Sequence, residues 1–274
     1  MKLIGIGDNV VDYYQDQGLM YPGGNALNVA VAGRRNGAEA SAYLGIVGDD
    51  AAAEHVVNCL REEGIDYARL RRAYGPNGEA VVALSGDGDR IFVGTNRGTR
   101  VQSLLTLRLT QDDLDYINEF DVVHTSVNSD MEHELHRLAH KALSFDFSTP
   151  KRWDAAYLRQ ICPYLTYAFF SGSDMSPGQI RYLFEEVHRL GVRVAGVTRG
   201  AEPAMFSVNG AVYKQPPAAG GAIVDTMGAG DSFIGAFLTS YHEHRDIQEA
   251  LLRASRSAAL TCGHYGAFGY GKRK

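Results

Sequence analysis

The 274 residues include only three cysteines, Cys59, Cys162 and Cys262, an odd number with no two close together. That spacing argues against a disulfide framework or a zinc ribbon and favours a reducing, cytoplasmic setting. No apolar run approaches the ~18 residues that a membrane span needs. The opening MKLIGIGDNV has one lysine and a short apolar run broken by glycines, so it reads as a strand and not as a signal peptide. Positive charge is not in excess: 27 Lys and Arg face 32 Asp and Glu, a formal charge of -5. A nucleic-acid surface would want a basic stripe, so neither nucleic acid nor membrane is an expected partner. There is no Gly-x-x-x-x-Gly-Lys-Ser/Thr loop. Gly5–Val10 starts like a dinucleotide fingerprint, but Val10 stands where its third glycine belongs. His133–Arg137 approaches a zinc-protease pattern, but Arg137 replaces the second histidine.

What remains is an alternation of strands and helices. Short apolar runs at Leu3–Ile6, Ala42–Val47, Val122–His124, Ser144–Phe147, Tyr167–Phe170 and Val192–Val197 read as strands. Helical spacing over Asn25–Asn36 stops at Gly37, and over Ala51–Glu63 it stops at Gly64. Thr110 with Asp113, and Ser176 before Pro177, mark two more helix starts. Two helices, about Ala229–His242 and Ile247–Gly263, come last, followed by a short basic tail that reads as solvated. The expectation is one α/β domain over 1–274, a doubly wound and mostly parallel sheet covered on both faces. Two stretches, about 10–21 and 69–98, break the rhythm with short β-like runs. They are expected to pair as a small β-sheet lid over a cleft.

The segment VDTMGAGDSF, Val224–Phe233, sets Gly228, Ala229 and Gly230 before an acid, Asp231, at a helix start. A helix N-terminus carries unpaired N–H groups and partial positive charge, and it attracts phosphate. Small residues let an anion touch that backbone. A carboxylate repels phosphate, so Asp231 makes sense there as the acceptor of a proton from an attacking hydroxyl. Asp225 and Thr226 end the preceding run and can fix the loop or bind a cation. The plainer reading is a tight strand-to-helix turn. A second half of a site precedes it: Gly24, Asn25 and Asn28 at the first helix, and Asp8 and Asp12 spaced by four on an extended segment. Two acids and two amides suit several sugar hydroxyls, while Asn25 also reads as an N-cap and Asn28 as a solvent-facing residue.

Together, GGNALNVAVAGRRNGAEASAYLGIVGDD and DTMGAGDSF resemble the ribokinase-like (PfkB) carbohydrate kinase family over nearly the whole chain. The resemblance implies an ATP- and Mg²⁺-dependent sugar kinase with Asp231 as catalytic base and Gly228, Ala229 and Gly230 as anion hole. Asp12, Gly24 and Asn28 fall on sugar-contacting positions, with Asp8 and Asn25 nearby. Thr198 and Gly200, in VTRGAE, fall on the nucleotide turn, which Thr226, Gly228 and Gly230 would complete. Asp225, Thr226 and Gly266 fall on a monovalent-cation (K⁺) site. Further runs (IGDNVVD, GDRIF, FDVVH, FDFS, HYGAF) point to the branch that phosphorylates the 6-hydroxyl of fructosamines such as fructoselysine. Another ketose, a sugar acid or a nucleoside is the alternative substrate, and a non-catalytic sugar- or nucleotide-binding regulator the alternative of another class. An amino-acid conjugate brings a carboxylate, for which Arg90, Arg97 and Arg100 are candidates. The family's Asn-x-x-Glu, which helps order magnesium-bound phosphates, is here Ser171 and Asp174, and Arg199 stands where leucine is common. A homodimer through the lid is expected by the same resemblance.

Overall fold

A computed structural model describes residues 1–84 and 90–274; the side chains of residues 84, 90 and 91 are outside that description. The strands are β1 (Lys2–Gly7), β2 (Val10–Tyr14), β3 (Leu19–Gly23), β4 (Ala40–Val47), β5 (Arg71–Arg72), β6 (Glu79–Leu84) and β7 (Arg90–Thr95). They continue with β8 (Val122–Ser126), β9 (Ala142–Asp146), β10 (Tyr167–Ser171), β11 (Val194–Arg199), β12 (Glu202–Val208), β13 (Ala211–Gln215) and β14 (Lys272–Arg273). The larger sheet runs β13-β12-β11-β10-β9-β8-β1-β4-β5 and the smaller β14-β3-β2-β6-β7.

In the larger sheet every pairing from β11 to β5 is parallel, and β12 and β13 close one edge as an antiparallel hairpin. Parallel strands are covered on both faces and so read as continuous apolar runs. β8 is buried at all five positions and β1 at five of six. One face packs Ile4, Leu44, Val123, Phe145 and Phe170 into a core with the Pro177–Arg189 helix. The other packs Leu3, Val122, Phe169 and Phe206 against Phe233 and Phe237 of the Ala229–His244 helix. This is the doubly wound α/β architecture. The chain goes from β1 to β4 on one side, then returns to β8 on the other, so the strand order reverses between β1 and β8. Ligands of such sheets lie beyond the carboxyl ends of the strands at that reversal.

The Asn25–Arg35 helix is the central element of the second face. It is buried from Asn25 to Gly33, with Leu27, Val29 and Val31 among its apolar positions. Close packing fixes its position. A Cβ at Gly5 would lie 2.1 Å from the Ala26 carbonyl, and one at Gly235 would lie 2.8 Å from the Gly33 amide nitrogen. The β1 strand and the Ala229–His244 helix can therefore approach this helix only because both positions are glycine.

The smaller sheet draws on both irregular stretches, with two differences. Arg71 and Arg72 extend the larger sheet as β5, beside Ile46 and Val47. The basic tail is not simply solvated: Lys272 and Arg273 pair with Met20 and Leu19 as β14. Lys274 reaches Glu79 at 2.6 Å and lies over the Tyr13 ring. The tail residues are exposed and polar, so only their partner strand makes them a strand. Tyr14 on β2 donates its hydroxyl to Asp225, and Tyr21 on β3 packs on Gly266 and Gly271. The small sheet is thereby tied to the loop that precedes the Ala229–His244 helix.

Candidate active site

The carboxyl ends of β1, β8 and β9 and the N-termini of two helices converge on one hydrogen-bonded cluster. Asp231 lies in the first turn of the Ala229–His244 helix. Its Oδ1 accepts from Asn25 Nδ2 at 2.7 Å and its Oδ2 from Asn28 Nδ2 at 2.6 Å. Burial raises its pKa to about 6, the Asp8 charge adds to the rise, and the two amide donors oppose it. It remains largely ionised at neutral pH while holding a proton more readily than an exposed carboxylate.

The two asparagines differ in what they leave available. Asn25 Nδ2 donates its second proton to Asp146 Oδ2 at 2.7 Å, and Asn25 Oδ1 sits 2.9 Å from His124 Nε2. His124 Nδ1 meets the Ser144 hydroxyl at 2.8 Å. Burial lowers the His124 pKa to about 3, so the ring is neutral. An Asn25 carbonyl oxygen can only accept, so the network places the ring proton on Nε2 and lets Nδ1 accept from Ser144. Asn25 thus joins two carboxylates and is oriented by the histidine behind it. Asn28 keeps its Oδ1 buried without a hydrogen-bond partner among the described residues. A buried acceptor of this kind costs free energy until a donor reaches it.

Asp8 follows β1, and its carboxylate is engaged by the protein itself. Its Oδ2 accepts from the Asn25 amide at 2.7 Å. Its Oδ1 accepts from the Ala26 amide at 3.2 Å, from Ser129 at 2.7 Å and from Ser126 at 3.1 Å. Four donors match the capacity of one carboxylate, so Asp8 caps the helix that carries Asn25 and Asn28. Gly24 precedes that helix at φ 109°, where a Cβ would strike the Asn9 backbone at 2.6 Å. Asp12 is buried on β2, with its Oδ2 against Gly23 where the chain turns into the same helix.

At the Asp231 helix the glycines divide the work. Gly228 has φ 72°, and a Cβ there would fall 2.4 Å from Ala267 Cβ, so the turn and the 264–269 loop both require glycine. Gly230 is exposed, and a Cβ on it would meet nothing within 4 Å. The Ala229 amide bonds Thr226 O, and the Ser232 amide bonds Gly228 O. The amides of Gly230 and Asp231 have no acceptor among the described residues. The first turn therefore presents two N–H groups with open space before them.

Other expected contacts sit as follows. Thr198 and Gly200 lie at the end of β11, with Thr198 in register with Ser171 and Gly200 against Ser173. Arg199 does not extend outward: its Nη2 bonds Met175 O at 3.3 Å, and Glu202 is 3.9 Å from Nη1. The Asp225 carboxylate is engaged by the Tyr14 hydroxyl and by the amides of Met227 and Gly266, each 2.9 Å away. These three donors make the Asp225 carboxylate a clamp between β2, its own loop and the 264–269 loop. The Arg90 side chain lies outside the described residues. Asp146, His124, Ser126 and Ser129 were not singled out from the sequence. The rule that ligands lie at strand carboxyl ends would have flagged Asp146, because Ser144–Phe147 already reads as a strand.

A family model described as the pfkB family carbohydrate kinase matches residues 1–269. The chain belongs to that family. It is a carbohydrate kinase, an ATP-dependent phosphotransferase with an alcohol acceptor. It is 51% identical over 272 residues to the fructosamine kinase FrlD of Bacillus subtilis (strain 168), covering 99% of this chain and 94% of that one. With the fructoselysine 6-kinase of Escherichia coli (strain K12) it shares 30% identity, over 96% of this chain and 98% of the other. The carbohydrate kinase fold matches Arabidopsis thaliana ribokinase complexed with ribose and ATP at TM-score 0.82 and 20% identity, over 97% and 94% of the two chains.

Proposed function

We propose that this kinase transfers the γ-phosphoryl group of ATP to the 6-hydroxyl of a fructosamine. The observation that carries the reading is the Asp231 carboxylate, fixed by Asn25 and Asn28 next to two unpaired N–H groups. The fructosamine assignment is supported by the 51% identical relative, which is a fructosamine kinase, and by the fructoselysine 6-kinase. The sugar hydroxyl donates to Asp231, and a neighbouring hydroxyl supplies the donor that Asn28 Oδ1 lacks. Asp231 takes the hydroxyl proton as the oxygen attacks phosphorus. The amides of Gly230 and Asp231, at the positive end of a 16-residue helix, stabilise the charge that builds on the transferring group. Asp12 and Gly24 border the sugar, and Asp8 and Asn25 hold the helix that presents it. Thr198, Gly200 and Thr226 border the nucleotide.

Magnesium fits as a companion of the nucleotide. No group of three or more His, Cys, Asp or Glu suited to a metal exists among the described residues, and Mg²⁺ in kinases is held largely by phosphate oxygens and water with one or two carboxylates. Asp174, exposed just beyond β10, is the carboxylate that would serve. The ion would neutralise phosphate charge.

ADP release measured over fructoselysine, other fructosamines, fructose, ribose, 2-keto-3-deoxygluconate and adenosine tests the reading. Fructosamines should give the highest kcat/KM. Preference for a plain ketose, a sugar acid or a nucleoside would reassign the substrate, and no ADP with any sugar would indicate a binding protein. We also propose a homodimer through the small sheet. β7 is its edge strand and exposes Phe92 and Val93 at 64% and 56%, a surface of the kind that invites pairing. Light scattering should give twice the chain mass, and the monomer mass would end this proposal.

A further inference from the structure

Beside the Asp231 cluster lies a small cavity of about 30 Å³ whose polar wall is Asp8, Asn9, Arg100, Gln102 and Asp130 and whose apolar wall includes Leu105. It is two hydrogen bonds from Asp231, through Asp8 to the Asn25 amide and through the Asn25 side chain to the carboxylate. Its electrostatics are unbalanced. Arg100 is half-buried and uses Nε on Ser103 at 2.7 Å; its two terminal nitrogens have no acceptor among the described residues. Burial and the neighbouring Arg97 both work against its charge, and Asp8 and Asp130 compensate less. Asp8 cannot turn to it, since four donors already hold that carboxylate. Arg100 lines the cavity with no ion pair among the described residues, and the exposed Arg97 adds like charge from nearby, so the Arg100 guanidinium forms a seat for an anion brought from outside.

Gln102 supplies a second, independent sign. Its Nε2 donates to Asn9 Oδ1 at 3.0 Å and to Asn77 Oδ1 at 2.8 Å, which fixes the amide orientation. Its Oε1 is buried with no partner among the described residues. Asn9 is itself anchored to Tyr43 and the Ile46 carbonyl, so this acceptor is held rigidly. The cavity therefore offers a cationic fork, and Gln102 on its wall carries an acceptor without a partner among the described residues, while the sugar site next to it already has its own groups.

We propose that this cavity binds the amino-acid end of the substrate: the Arg100 guanidinium takes the carboxylate, and Gln102 Oε1 accepts an N–H of the amine. The proposal rests on the fructosamine reading, and its test separates the two. Each of two fructosamines is paired with its decarboxylated counterpart, fructoselysine with fructosyl-cadaverine and fructosyl-glycine with fructosyl-methylamine. For wild type, kcat/KM in at least one pair should favour the carboxylate by roughly 10–100-fold, the range for a charge-assisted fork. In Arg100→Ala that ratio should fall to about 3 or less, with Arg100→Lys between the two. An unchanged KM for ATP and melting temperature show that the variants are folded. Equal turnover within both wild-type pairs, or a ratio that survives Arg100→Ala, overturns the proposal while leaving the fructosamine kinase intact. No turnover of any fructosamine alongside good turnover of another sugar overturns both.

Discussion

The Asn25–Arg35 and Ala229–His244 helices each start after a glycine of positive φ, Gly24 at 109° and Gly228 at 72°, with no side-chain cap from the N-cap residue. At the first, the chain supplies its own anion, the Asp8 carboxylate, within 2.7 Å of the Asn25 amide and 3.2 Å of the Ala26 amide. At the second, the only first-turn acid, Asp231, faces Asn25 and Asn28 instead, and the amides of Gly230 and Asp231 are left without an acceptor among the described residues. A helix N-terminus satisfied by its own chain is a structural joint, and one left unsatisfied is a place for something else's negative charge. The filled terminus sets the geometry that the open one uses, because the asparagines holding Asp231 sit on the helix that Asp8 caps.

The largest break in this comparison comes from Asp231→Asn. The amide cannot take a proton from a hydroxyl, so kcat should fall by roughly 10²–10⁴ with ATP binding nearly unchanged. Steady-state kinetics with nucleotide titration would show it, and near-wild-type kcat would remove Asp231 from the chemistry. The open terminus can next be closed without touching the acid. Gly230 has room for a Cβ, so Gly230→Val should fold yet crowd the anion and cut kcat/KM for ATP by roughly 10–10². Gly228→Ala should behave differently, because its φ and the Ala267 contact forbid a side chain. A stability loss of about 1–3 kcal/mol by urea titration is expected. Equal stability in Gly228→Ala, or unaffected ATP kinetics in Gly230→Val, would erase the division of labour between the two glycines.

The open terminus was readable from sequence because its parts are local. Gly228, Gly230 and Asp231 lie within four residues, and Asn25 and Asn28 within one helical turn. The alternation of apolar runs and helical periods likewise placed the strands and helices it named with ends one or two residues off, but it did not name β12, β13 or the Ala155–Ile161 helix. The filled terminus was not readable. Asp8 lies 17 residues before Asn25 and about 120 before Ser126 and Ser129, and only the placement of β8 beside β1 makes it a cap. Asp146 and His124 were missed for the same reason: each is a single polar residue in an apolar strand, and its meaning comes from what the neighbouring strand brings near. The strand β14 has no propensity signal at all, since Lys272 and Arg273 are a strand only by pairing with β3.

Breaking the filled terminus should have a smaller, mixed effect. Asp8→Ala leaves the amides of Asn25 and Ala26 uncapped and should cost about 0.5–2 kcal/mol, the range for a lost N-cap. Because the same helix carries Asn25 and Asn28, KM for the sugar should rise severalfold while KM for ATP moves little. A change confined to ATP would mean that Asp8 serves the nucleotide side.

The finest test concerns the second carboxylate on Asn25. Asp231 ionises first: burial raises its pKa to about 6, with Asn28 and Asn25 opposing the rise. The charge it then carries adds to burial and pushes Asp146 up to about 7. The sign follows: below about pH 6 the base is protonated and kcat/KM falls. Between about 6 and 7 the pair carries one negative charge, and above about 7 it carries two, next to the N–H groups that receive the phosphate. Repulsion there should lower kcat/KM for ATP by about 2- to 5-fold, what a screened interaction of roughly 1 kcal/mol allows. Asp146→Asn removes the second charge but can still accept from Asn25. Its profile should keep the acid limb near pH 6 and lose the decline above pH 7. A decline that survives the substitution belongs to another group, and an acid limb that moves with it would mean that Asp146, and not Asp231, is the proton acceptor.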